Sequence, residues 1–285
     1  MRRIVRQTHY HLVPAIFTTS LRAIRSLRHI YLYGSVCSDA TSLGRLLRGH
    51  FLDILKRATP PQFEVRTRQL GGLPITVRAA GTDMSVHLAT FHGKFHAVDY
   101  SQVPRDAKVI LDLGANIGCT AAHFACLYPQ AKIIAVEMDA DNAYLARQNT
   151  AHWRDRCTVV EAAIWHTDGS VEYQLDPLHA DGFSARDAVG PTAGQVRSVQ
   201  AISVNTLLNN LCPGQMVDYA KIDIEGAERE LLKTNTEWLR RVRCLKVELH
   251  GGYTKEECAA DLKAAGFNSA IDSGHWACVL ALNPM

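Results

Sequence analysis

The 285-residue chain lacks several features that would settle its class quickly. No apolar run reaches the roughly 18–20 residues that a membrane span needs. Cysteines stand at 37, 119, 126, 157, 212, 244, 258 and 278, yet there is no CxxC pair and no Cys/His spacing that would surround a zinc ion. In apolar patterns such thiols behave as small hydrophobes, and a reducing cytoplasm is the simpler compartment. No internal repeat or low-complexity tract is present. The opening is basic, but Pro14 breaks its apolar stretch, Arg22, Arg25 and Arg28 follow, and no small-residue cleavage site closes it, so a signal peptide is not expected.

What is present is unevenly distributed. Residues 1–58 carry ten Arg/Lys against two Asp/Glu, leaving 21 against 26 for the rest. The net charge of +3 therefore hides a basic extension on an acidic main domain, opposite to the footprint of a protein that grips phosphate backbones. No nucleic-acid partner is expected. We divide the chain into a helical extension, residues 1–60, and one domain, 61–285. In the extension Val13, Ile16, Phe17, Leu21, Ile24, Leu27 and Ile30/Tyr31 recur at helical spacing beside arginines. That stripe suits packing, a homo-oligomer contact, or peripheral contact of residues 1–35 with an anionic membrane. A second helix is predicted over Thr41–Arg57, ending at Pro60-Pro61.

From residue 63 the order becomes regular. "FEVRTRQL" and "LPITVRAA" flank Gly71-Gly72 and predict a hairpin. "KVILDL", "AKIIAVEM", "CTVVEAAI", "VDYAKIDI" and "CLKVEL" then alternate with helical segments, which implies an α/β fold with a mostly parallel sheet covered on both faces. "VEYQL" is expected to pair as an edge strand. "SAI" and "WACVLAL" around "DSGH" predict a closing antiparallel hairpin. The stretch 177–196 fits neither period, and a loop that long is a candidate lid.

In such sheets ligands bind beyond the carboxyl ends of the strands. "VILDLGANIGC", residues 109–119, ends a strand on Asp112 and opens into Gly114 and Gly118. The next strand ends at Glu137, 19 residues after Gly118, where an acid can accept from ribose hydroxyls. The middle glycine of a dinucleotide fingerprint is missing, and an acid aimed at the mouth is a poor neighbour for a pyrophosphate. It suits an ammonium and a sulfonium, hence S-adenosylmethionine (SAM). Asn116 and the backbone at Ala162 and Ala163 should approach this cofactor, with core packing as the alternative for the alanines.

"VILDLGANIGCTAAHFACLYPQAKIIAVEMDADN", "VVEAAIWHTDGSVEY", "VQAISVNTLL" and "VDYAKIDIEGAERELL" together resemble the FkbM-type methyltransferases. The resemblance covers roughly residues 75–282, with "KIDIEGAE" its most specific block. It implies a class I (Rossmann-like) methyltransferase fold and O-methylation of a sugar, glycolipid or polyketide-type natural product. "VRAAGTDMSVHL" is similar to the family's lead-in segment, although Asp83 and Ser85 stand in a different order.

For the chemistry, candidates must lie at strand tips. Alternation sends Asp223 and Glu225 to one side, and likewise Glu248 and His250. These groups can act as a general base for a hydroxyl, which gives catalytic candidates Asp223, Glu225 and His250. Alternatively Asp223, Glu225 and Glu248 hold a hydrated Mg²⁺. Glu225 has a competing role as a cap at Gly226, and Lys221 should meet one of the carboxylates. Asp168-Gly169 is a turn. His92, His96 and His179 show no ligand spacing. A nicotinamide oxidoreductase and a non-catalytic cofactor-binding module are the rival classes.

Overall fold

The computed structural model describes residues 28–54, 62–79, 81–175, 183–185 and 196–284. Of the lid candidate at 177–196 only 183–185 and 196 are among them, both in strands, while His179 and most of the basic stripe fall outside. Residues 28–36 are helical. Tyr33 and Val36 are buried there, while Ile30 and Tyr31 remain exposed. The next helix, α1 (Ala40–Ile54), lies where the second helix is predicted. It packs on an antiparallel hairpin, β1 (Gln62–Thr67) and β2 (Leu73–Arg78), turned by Gly71 and Gly72 at positive φ, a conformation that suits glycine. One short helix follows, α2 (Asp83–Leu88), continued by a wider turn over Ala89–Gly93.

The centre is a seven-stranded sheet. Parallel strands β3 (Val109–Leu113), β4 (Lys132–Glu137) and β5 (Cys157–Glu161) run outward on one side. On the other side of β3 lie β10 (Tyr219–Ile222) and β11 (Cys244–Glu248), also parallel. The hairpin β12 (Asn268–Ile271) and β13 (Cys278–Leu282) closes this edge antiparallel to β11. The order β12-β13-β11-β10-β3-β4-β5 reverses beside β3, which opens a crevice at its carboxyl end. The molecule has an α/β Rossmann-like fold.

Every residue of β3 is buried because both faces are covered. Val109, Leu111 and Leu113 face α5 (Val204–Leu211), α6 (Glu228–Lys233) and α7 (Lys255–Ala264). Ile110 instead packs with Phe124 of α3 (Cys119–Leu127). Helix α4 (Ala140–Asn149) starts at Asp139, whose side chain accepts from Asp141 N and Asn142 N.

Two expectations are corrected by the sheets. "CTVVEAAI" is not a single strand: it breaks at Ala162, and β6 (Ala163–Trp165) joins a second sheet ordered β6-β9-β7-β8. There β7 (Gly169–Leu175) is an inner strand, between β8 (Phe183–Ala185) and β9 (Val196–Ser203), where the sequence suggests an edge. The Asp168–Gly169 turn is present, with Asp168 accepting from Ser203 N and the Thr206 hydroxyl. All eight cysteines are free thiols.

Candidate active site

At the carboxyl ends of β3, β4 and β10 lies a cleft of about 690 Å³, measured out to its open mouth. Its lining includes Gly114, Asn116, Glu137, Ala162, Ala163, Asp223 and Glu225, all predicted from the sequence. Val136, Ile164, Trp165 and Val171 supply apolar walls, and Asn142 a polar corner.

Glu137 is buried on the floor. Its two oxygens accept from Asn116 N at 2.8 Å and Asp139 N at 2.9 Å. Burial pushes its carboxyl up to about 7 against the opposing pull of those two bonds. Each carboxylate oxygen keeps further acceptor capacity for ribose hydroxyls. Asn116 adopts φ 49°, and its Oδ1 accepts from Ile117 N, which locks the turn. Gly114 is required twice over. Its φ is 82°, and a Cβ there would lie 1.7 Å from the carbonyl oxygen of Asp223.

Two cofactor candidates take different places from those the sequence suggests. Gly118 does not line the cleft; it lets α3 approach α4, since a Cβ would sit 2.8 Å from Ala146 Cα. Asp112 is fully buried and faces Lys221 across the β3–β10 register, not the mouth. Lys221 Nζ lies 3.3 Å from Asp112 Oδ1 and 3.1 Å from Asp223 Oδ2, and donates to Gly114 O at 2.5 Å. Burial raises the Asp112 carboxyl although Lys221 opposes the shift. Asp112 therefore reaches the cleft only through Lys221.

The strand β10 ends before Asp223, and Glu225 sits at φ 53° in the following turn, so a turn rather than strand alternation brings them together. Asp223, Glu225 and His250 have ligand atoms within 4.8 Å of one another. Glu248 belongs to a neighbouring group with His96 and Cys278, which splits the metal set expected from sequence. The His250 Nδ1 is 2.9 Å from Oε1 of Glu228, a fully buried carboxylate that also accepts from Gly226 N. Burial opposes charge on His250, but that bond and the charges of Glu225, Glu228 and Asp223 outweigh it and push the imidazole up to about 9.

His96 is the residue that sequence spacing missed. Its Nε2 lies 3.8 Å from Asp223 Oδ2 and 3.6 Å from Glu248 Oε2. Burial, with Lys221 adding to it, holds the ring down to about 3, so it is neutral. Nothing local signals this, because His96 comes from a segment more than a hundred residues upstream of β10. Glu228 was legible in principle, three residues after Glu225 in the "EGAE" block. Asp83 clamps Arg78 through three bonds of 2.8–2.9 Å, and Arg78 Nη2 donates to Asn142 Oδ1 at 2.6 Å, beside the cleft. Ser85 is exposed.

The family model described as "Methyltransferase FkbM domain" matches residues 112–269. The chain is 28% identical over 169 residues to the 2-O-methyltransferase NoeI of Sinorhizobium fredii, covering 54% of this chain and 68% of that protein. It is 24% identical over 165 residues to the hexuronic acid methyltransferase AglP of Haloferax volcanii, covering 57% and 64% respectively. Among solved structures, a precorrin-6y C5,15-methyltransferase from Geobacter metallireducens superposes with a TM-score of 0.40 at 15% identity, over 70% of this chain and 87% of that one.

Proposed function

For a chain that belongs to the FkbM methyltransferase family and is therefore a SAM-dependent methyltransferase, we propose that the transferred methyl goes to a hydroxyl of a small sugar-type acceptor, free or in a glycolipid. One observation carries the reading: the cleft has Glu137 at its floor, and the Asp223–Glu225–His250 group joins it at the carboxyl end of β10. The two relatives, named as a 2-O-methyltransferase and a hexuronic acid methyltransferase, support a sugar as acceptor.

The residues fit the cofactor. Gly114 turns the chain at the cleft wall, Glu137 offers acceptors for ribose, and Val136, Ile164, Trp165 and Val171 suit an adenine ring. When bound, SAM supplies an electrophilic methyl on its sulfonium. The protein's part is orientation and proton removal. Glu228 fixes the His250 ring through Nδ1, which leaves Nε2 to take the hydroxyl proton. Asp223, kept ionised by Lys221 despite burial, stabilises the imidazolium that forms once Nε2 has taken the proton. Lys221 ties Asp223 to the glycine turn, so acceptor and cofactor sites keep their spacing.

The test is release of S-adenosylhomocysteine (SAH) from SAM across a panel of methyl glycosides of neutral hexoses and hexuronic acids, with the product identified by mass spectrometry. Acceptor-dependent release with a methyl ether product is expected, and loss of turnover in His250→Ala with SAH binding retained. Transfer to nitrogen or carbon acceptors alone would overturn the reading.

A further inference from the structure

Asp223 sits between two similar half-sites. Its Oδ1 lies 3.7 Å from His250 Nε2, which in turn lies 3.5 Å from Glu225 Oε2. Its Oδ2 lies 3.8 Å from His96 Nε2, which lies 3.6 Å from Glu248 Oε2. All four separations exceed the roughly 2.7–3.2 Å of an N–H···O bond. Each half-site is thus spaced for an oxygen that bonds to both the imidazole and the carboxylate. A hydroxyl does this naturally, since it both donates and accepts.

We propose that the acceptor presents two adjacent hydroxyls and that Asp223 binds one on each carboxylate oxygen. The accepting hydroxyl lies on the His250 and Glu225 side, and an anchoring hydroxyl on the His96 and Glu248 side. This rests on the sugar-type acceptor reading above and narrows it to a vicinal diol. The assignment of sides follows from the cleft: of His250, Glu225, His96 and Glu248, Glu225 is the one that lines it. His96 is built to be a neutral partner. Its Nδ1 is buried without a hydrogen-bond partner, so its proton is better placed on Nε2, where Asp223 and Glu248 attract it. Its backbone is fixed, with the Tyr219 hydroxyl donating to His96 O at 2.7 Å, and Lys221 holds Asp223 on the same side.

The experiment uses the glycosides that the wild type methylates, each compared with analogues in which one hydroxyl at a time is replaced by hydrogen. Deleting the hydroxyl next to the methylated one should raise KM about tenfold or more while kcat changes less, tenfold being about 1.4 kcal/mol. In His96→Ala the parent glycoside should already show the raised KM, and the deletion should add little, as expected for two partners of one bond. Glu248→Gln serves as a second variant on the same side, and calorimetric SAH binding shows that each variant retains its fold. Equal KM for parent and deleted analogues, or a full additional loss in His96→Ala, would overturn the diol while leaving the sugar acceptor standing. Absence of transfer to any glycoside of the panel would overturn both.

Discussion

Replacing Glu137 by glutamine separates what that carboxyl costs the fold from what it gives the cofactor. In the wild type, burial lifts it from an ordinary 4.5 to about 7. Between those values the folded protein keeps a proton that the unfolded chain has released. The resulting stability contribution is whole below about pH 4.5 and is lost as pH rises through 7, a total of about 3 kcal/mol. Glutamine does not titrate. The unfolding free energy of the variant relative to wild type should therefore rise by about 2–3 kcal/mol between pH 5 and pH 8, measured by urea denaturation. Binding should move the other way. Glutamine can accept from only one of Asn116 N and Asp139 N without turning its amide N–H₂ toward the other, and it loses the charge that ribose hydroxyls would meet. Affinity for SAH at pH 8, measured by calorimetry, should fall roughly 10- to 100-fold, the size of a lost bond to a charged group. A stability difference that does not vary with pH, together with SAH affinity within about threefold of wild type, would refute the reasoning.

Three further outcomes are expected. Gly114→Ala should abolish SAH binding and lower Tm by several degrees, because its Cβ would meet the Asp223 carbonyl, whereas Gly251→Ala, at φ 64° with nothing within 4 Å, should cost only about 1 kcal/mol. If His250 removes the proton, kcat/KM should rise with pH toward about 9, and Glu228→Gln should move that limb to lower pH by removing a charge that raises it; a profile flat above pH 6 would point to Asp223 alone. Lys221→Met should destabilise the fold by about 3–5 kcal/mol in denaturant, since it strands the fully buried Asp112, and Asp112→Asn added to it should recover part of the loss.

The parts of the site that could be read in the sequence are those set by short-range rules. Buried parallel strands are continuous apolar runs, so the tips of β3, β4, β10 and β11 could be counted, and with them Gly114, Glu137 and Asp223. The acid of "VILDL" shows the limit. A strand covered on both faces gives no cue to which face its one polar residue takes, and only the register with β10 pairs Asp112 with Lys221. The second sheet was hidden for a similar reason: β6 is three residues long and pairs with β9 from across the 177–196 stretch. His96 was out of reach because its partners, Asp223 and Glu248, stand more than a hundred residues away in the chain.

The eight free thiols acquire a meaning beside an electrophilic methyl donor. A thiolate is a far better nucleophile toward a sulfonium than a sugar hydroxyl, so an exposed ionised cysteine near this cleft would be alkylated in place of the acceptor. Seven of the eight are buried. Burial pushes Cys37 and Cys157 up to about 11, and Cys244 and Cys258 up to about 12. At neutral pH a thiol near 11 is ionised in only about one molecule in ten thousand. The packing that stabilises the core thus also keeps these four thiols in their unreactive, protonated form.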